Sequence, residues 1–255
     1  MTNMYFWQGV LLVTAGVFGG IANSMAGGAS LFTFPAILST GLPAITANAS
    51  NGFSLLPANS LAAFMDREQL PARDNGFWAV TGCAFVGGVL GAFLLLITPA
   101  RFFTILVPAL IGLATLIFIF SSQIRSGLSK VMSGDEHPQL RAVMVFVAAA
   151  YAGYFGAGVG VVFMAVLGAT TAWGLRTTNA FKNVLGFTAN VAGCFVFVWQ
   201  GLISWPETLT LMSGTVVGAF IGTKLLKVLP VTIVRNVIAW AGVMMTAIYI
   251  YRFWL

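Results

Sequence analysis

The 255-residue chain is 59% hydrophobic and 7% charged, with a formal net charge of +6 and a mean hydropathy of +0.95. A soluble domain carries about 25% charged residues, so this composition excludes a water-exposed globule and requires a bilayer around most of the chain. The surplus of Lys and Arg then belongs to cytoplasmic loops and not to a nucleic-acid surface.

The apolar runs are continuous and lack the roughly ten-residue alternation of a barrel, so helices must pair the backbone groups in lipid. In chain order the predicted segments are Tyr5–Ala26, Gly28–Thr40, Ala44–Met65, Phe77–Ile97 and Arg101–Ser121. A polar stretch, Ser122–Gln139, follows and reads as a central cytoplasmic loop. The second set is Leu140–Gly158, Gly160–Ala172, Thr177–Trp199, Pro206–Leu226 and Val231–Phe253. In each set the second piece is too short for about 30 Å of hydrocarbon. No basic region precedes the first apolar run, so that helix is expected to be retained rather than cleaved as a signal peptide. Cys83 and Cys194 fall inside apolar segments and read as packing residues.

The two sets resemble each other. Ala26-Gly27 recurs as Ala157-Gly158, Asn48-Ala49 as Asn179-Ala180 and Ala58-Asn59 as Ala189-Asn190, each 131 positions on. This spacing predicts an internal repeat, residues 1–121 and 140–255, around the central loop. If each glycine turn returns the chain to its starting side, the halves are inverted. Arg67, Arg73, Arg125, Lys130, Arg141, Arg176, Lys224, Lys227 and Arg235 then gather on one side, with Arg101 and Arg252 on the other. The positive-inside rule favours that arrangement and puts both termini outside an inner membrane. Trp7, Trp78, Trp173, Trp199, Trp205 and Trp254 fall at predicted helix ends; Trp240 does not and is expected to pack inside.

The glycine-rich turns, Asn23 to Ser30 and Tyr154 to Gly160, are matched breaks of the kind that mark a transporter's central site. A broken helix exposes N–H groups and a positive dipole end that suit an anion; the same glycines also permit close helix packing. Asn23, Ser24, Gly27, Ser30 and Gly158 are the candidates there. The following helices carry Asn48, Asn51 and Asn59 in one half and Asn179, Lys182, Asn183 and Asn190 in the other. Positions i, i+3 and i+11 fall within about a quarter-turn of one another, giving a polar stripe. Such a stripe serves a wet cavity or interhelical hydrogen bonds. Lys182 either snorkels to the interface or contacts substrate; its place on the stripe selects substrate.

Asp66, Glu68, Asp74, Asp135, Glu136 and Glu207 all fall in loops or at helix ends, and His137 lies in the central stretch. No buried acid is expected to couple transport to protons, and no cluster has metal-ligand or catalytic spacing. The chain is therefore expected to be no enzyme and to hold no metal. Its expected partners are a small anion and the lipid bilayer, with a homo-oligomer left open.

At these residues the chain resembles the sulfite exporter TauE/SafE family, also called the 4-toluene sulfonate uptake permease family. The resemblance is carried by Gly19-Gly20-Ile21-Ala22-Asn23-Ser24-Met25-Ala26-Gly27-Gly28, Phe34-Pro35-Ala36-Ile37-Leu38 and Gly41-Leu42-Pro43. In the second half it is carried by Gly153 to Gly160 and Asn179 to Asn190. The usual glycine run is shortened, Ala29-Ser30 following Gly27-Gly28. The resemblance implies transport of sulfite, organosulfonates or related anions, without a cofactor. A secondary carrier exporting such an anion, with alternating access by relative motion of the halves, is one expectation. An anion channel, an importer, and a membrane enzyme or assembly factor are the alternatives.

Overall fold

The computed structural model describes residues 5–131, 138–225 and 231–254. It is all-helical, with no strand among the described residues. The order is α1 (Phe6–Ala26), α2 (Ser30–Leu38), α3 (Ala44–Ser54), α4 (Leu56–Met65), α5 (Asn75–Ile97) and α6 (Ala100–Ile119). Then come α7 (Ser121–Val131), α8 (Pro138–Tyr154), α9 (Val159–Thr170), α10 (Leu175–Trp199), α11 (Trp205–Leu225) and α12 (Val231–Trp254). Five stretches, Phe6–Ser24, Asn75–Ile97, Ala100–Ile119, Leu175–Trp199 and Arg235–Trp254, are long and apolar enough to cross a membrane. Asp135, Glu136, His137 and Lys227 lie outside the described residues, so the readings made of them have no structural counterpart.

Three sequence expectations change. The segment read as one helix over Ala44–Met65 is two, because Pro57 has no N–H to offer the Phe53 carbonyl and its ring crowds that turn. The central stretch is not all loop: α7 follows α6 directly and packs against α9. Polarity alone does not break a helix, and Ser121–Val131 contains no proline and a single glycine, Gly127. Trp240 is 75% exposed instead of buried. Its indole covers the outer surface of α12, where lipid supplies the apolar contact that a soluble core would.

Two glycine-lined seams hold the bundle. α1 lies against α11, with Gly16 facing Leu211 and Gly214, Gly20 facing Thr215 and Ala219, and Gly222 facing Ile21 and Ser24. Residue numbers rise together, so these helices run the same way. α5 lies against α8 in the same fashion, Gly87 against Phe146 and Gly91 against Ala150 and Tyr154. A Cβ on Gly91 would collide with the Ala150 carbonyl oxygen; helices in lipid gain contact by bringing backbones this close. α6 and α12 run in opposite senses: Trp254 Nε1 donates to the Ile105 carbonyl at 2.9 Å, Gly112 meets Thr246, and Arg235 donates to Ser121 Oγ. α3–α4 and α10 also oppose each other, Gly52 lying beside Cys194 and Asp66 beside Asn179 and Asn183.

Candidate functional site

Two sharp turns bring the site together. Gly27, which ends α1, has φ +80°, and Gly158, which precedes α9, has φ +74°. These occupy equivalent places in the two sets of segments. Both lie in the left-handed region, which glycine enters without a Cβ penalty. The second turn is pinned by Tyr151 Oη, which donates to the Ala157 carbonyl at 2.7 Å. It is tied to the other half by Asn48 Nδ2, which donates to the Tyr154 carbonyl at 3.0 Å. The turns face each other, with Gly27 packed against Gly160 and the Lys182 side chain beside Gly160.

Between them lies a cavity of about 70 Å3, walled by α1 and α2, α3 and α4, the α8–α9 turn and α10. Of the residues singled out in the sequence, Asn23, Gly27, Ser30, Asn48, Asn51, Asn59, Gly158, Lys182, Asn183 and Asn190 line it. Ser24 and Asn179 do not. Ser24 Oγ is shared between the carbonyls of Gly20 (3.1 Å) and Ala219 (3.2 Å), stitching α1 to α11. Asn179 Nδ2 donates to Asp66 Oδ2 at 3.2 Å.

Most of the amides are held by protein partners, which fixes their orientation. Asn23 Nδ2 donates to Asn59 Oδ1 at 2.8 Å, and Asn190 Nδ2 to the Gly186 carbonyl at 2.8 Å. Asn51 Nδ2 reaches Ser30 Oγ at 3.4 Å, but Asn51 Oδ1 is buried with no partner. Lys182 likewise makes no hydrogen bond to a described residue. These two positions are 131 apart, the spacing that relates the two sets of segments. The cavity lining therefore has an unpartnered acceptor, Asn51 Oδ1, on α3 and a cation, Lys182, 131 positions further on in α10. A buried acceptor left unpaired costs about 1–3 kcal/mol, so Asn51 Oδ1 is poised to accept from water or a ligand.

The sequence reading missed Asp66. It was set aside as a helix-end acid, and it does close α4. Its carboxylate, however, accepts from both Asn179 (3.2 Å) and Asn183 (2.8 Å) of α10 and lies near enough to interact with the Lys182 charge. No spacing rule relates Asp66 to α10, because the contact crosses two antiparallel helices far apart in sequence. Glu207 is also more embedded than its helix-end position implied: it is 3% exposed and accepts from Ser204 Oγ at 2.5 Å. Cys194 is buried, lines the cavity and is free, as is Cys83. Among the described residues no group of His, Cys, Asp and Glu is arranged to hold a metal.

The family model described as "Sulfite exporter TauE/SafE" matches residues 12–249. The chain is similar to a "probable membrane transporter protein" of Haemophilus influenzae, 26% identical and covering 94% of each chain. It is similar to one of a Sinorhizobium species, 27% identical over 88% of this chain and 85% of the relative. It is also similar to YfcA of Escherichia coli, likewise named a probable membrane transporter, 25% identical over 95% of this chain and 89% of the relative. No solved structure matches it.

Proposed function

This chain belongs to the sulfite exporter TauE/SafE family and is a multi-pass membrane transporter; from that premise we propose that it carries a small anion, sulfite or an organosulfonate, outward through the cavity between the two glycine turns. The observation that carries this reading is that Lys182 and the amides of Asn23, Asn48, Asn51, Asn59, Asn183 and Asn190 line one cavity. A cation meets the charge of the anion, and amide N–H groups complete its coordination without the dehydration cost of a second full charge.

In this reading Asn23, Gly27, Ser30, Asn48, Asn51, Asn59, Gly158, Lys182, Asn183 and Asn190 form the binding surface, while Ser24 and Asn179 act behind it through Ala219 and Asp66. The halves 1–121 and 140–255 are inverted copies. Support comes from the equivalent helix pairs: α1 and α8 lie in opposed groups, and α6 crosses its own counterpart α12 antiparallel. The Arg-rich ends, including Arg67, Arg73 and Arg176, face the cytoplasm of an inner membrane and the termini face outward. With about 100 mV inside negative, each anionic charge gains about 2.3 kcal/mol on leaving, roughly a fifty-fold concentration ratio. Export then needs no cofactor and no chemical turnover.

Purified protein in liposomes tests this. Labelled sulfite is expected to cross saturably, to follow an imposed potassium-diffusion potential, and to accumulate transiently against unlabelled sulfite on the other side. Flux without such counterflow would indicate a channel. No flux of sulfite or of a small sulfonate under any imposed potential would reject the proposal.

A further inference from the structure

A second cavity, about 130 Å3, lies at the end of the bundle where α5 begins and α9 passes into α10. Arg141, one turn into α8, lines it. The side chain is 7% exposed, its Nε is buried without a hydrogen-bond partner, and its guanidinium stands 5.5 Å from the ring centre of Trp173. The cavity also takes in Gly76 and Asp74 at the start of α5. Asp74 Oδ1 is engaged as the cap of that helix, accepting from the Phe77 backbone N–H at 2.8 Å. Phe77 and Phe181 close the inner wall, their ring centres 4.8 Å apart.

A guanidinium stacked on an indole keeps its positive charge and loses little of it to the ring. Desolvating it while Nε stays unpaired is costly unless an acceptor arrives. The first turn of α5 adds the positive end of a long helix at the same spot. We propose that this cavity is a second anion site, which takes a small oxyanion between the Arg141 guanidinium and the N-terminal turn of α5. Phe181 is followed in sequence by Lys182, which lines the central cavity. Consecutive residues of α10 thus line the two sites, Phe181 the second and Lys182 the first. The Arg141 site occupies the end of the bundle that also bears Arg67, Arg73 and Arg176. An oxyanion could occupy it as a free ion or as the headgroup of an anionic lipid; the recognised chemistry is the same.

Equilibrium binding of labelled sulfite, sulfate and phosphate to the whole chain tests this in phosphate-free maltoside micelles. In a Lys182→Met background at least one of the three ions is expected to bind at one site per chain. Adding Arg141→Gln should weaken that binding about tenfold or more. Adding Asp74→Asn, which keeps a capping side chain, should strengthen it about two- to fivefold by removing an exposed like charge. The gain also serves where Arg141→Gln does not purify as folded protein. Repeating the measurement with added phosphatidylglycerol distinguishes the sources: unchanged affinity indicates a free ion, competition a lipid headgroup. A Lys182→Met protein that binds none of the three ions overturns the proposal. So does binding that neither Arg141→Gln nor Asp74→Asn alters, and so does a loss with Arg141→Gln unaccompanied by any gain with Asp74→Asn. If Lys182→Met leaves the number of bound ions unchanged from wild type, it is the central-site reading that fails, and the Arg141 comparison still stands.

Discussion

Replacing Lys182 by Met removes the one cation among the described residues that line the central cavity, while keeping a side chain of similar length beside Gly160. The ammonium makes no hydrogen bond to a described residue, so little internal structure is lost with it. A bound oxyanion would gain a charge-assisted hydrogen bond there, about 1.5–3 kcal/mol, which corresponds to roughly ten- to 150-fold in affinity. Isothermal titration of sulfite into the purified protein should show a weakening of that size. The unliganded melting temperature should move little, whereas the stabilisation conferred by saturating sulfite should largely disappear. Because Asp66 is held by Asn179 and Asn183 and not by Lys182, it stays in place in the variant, and its charge then repels the anion uncompensated. An affinity for sulfite within twofold of wild type, in protein that melts normally, would refute the reasoning.

Three other outcomes follow from the same geometry. Asn51→Asp puts a carboxylate on the wall of the cavity that Lys182 also lines, and it should lower anion affinity more than tenfold in the same titration, since two unit charges about 4 Å apart interact by about 4 kcal/mol at an effective dielectric of about 20. Gly91→Ala drives a methyl group into the Ala150 carbonyl oxygen and should cost about 1–3 kcal/mol of stability, read as a fall in melting temperature. Gly82→Ala on the same helix meets nothing within 4 Å and should be neutral or slightly stabilising. In a chain freed of Cys83 and Cys194, a cysteine at Gly201 should react with a membrane-impermeant maleimide applied outside cells, and a cysteine at Arg73 only after permeabilisation; the reverse pattern would overturn the proposed orientation.

Much of the site could be read in the residues because lipid makes polar groups scarce. Asparagines recurring at helical spacing in an apolar chain have few places to go, and ten of the twelve residues singled out reach one cavity. Ser24 and Asn179 show the limit of that logic. Each has the right residue type and neighbourhood, yet Ser24 bonds the Ala219 carbonyl and Asn179 bonds Asp66 without lining the cavity, although Asn183, one turn on and bonded to the same Asp66, does line it. Periodicity fixes a face to within about a quarter-turn, not which neighbour that face meets. Asp66 escaped for a related reason: its role depends on which helix packs against α4, and that is a tertiary fact. The Pro57 break and α7 were missed through local rules given too little or too much weight. The apolar run Ala44–Met65 was taken as one span without weighing Pro57, and polarity was taken for loop.

The two glycine seams have a mechanical consequence. Each joins a helix from the first half of the sequence to a helix from the second: α1 to α11, and α5 to α8. Covalent order and physical grouping therefore differ. One block contains α1, α3–α4 and α11, the other α5, α8 and α10, and each draws on both halves of the chain. Expressed separately, residues 1–131 and 132–255 would each display a bare glycine groove to lipid. Co-expressed, they should reassemble by filling each other's grooves. In the proposed carrier, alternating access would part the bundle between these mixed blocks, both of which line the Lys182 cavity, rather than along the midpoint of the chain.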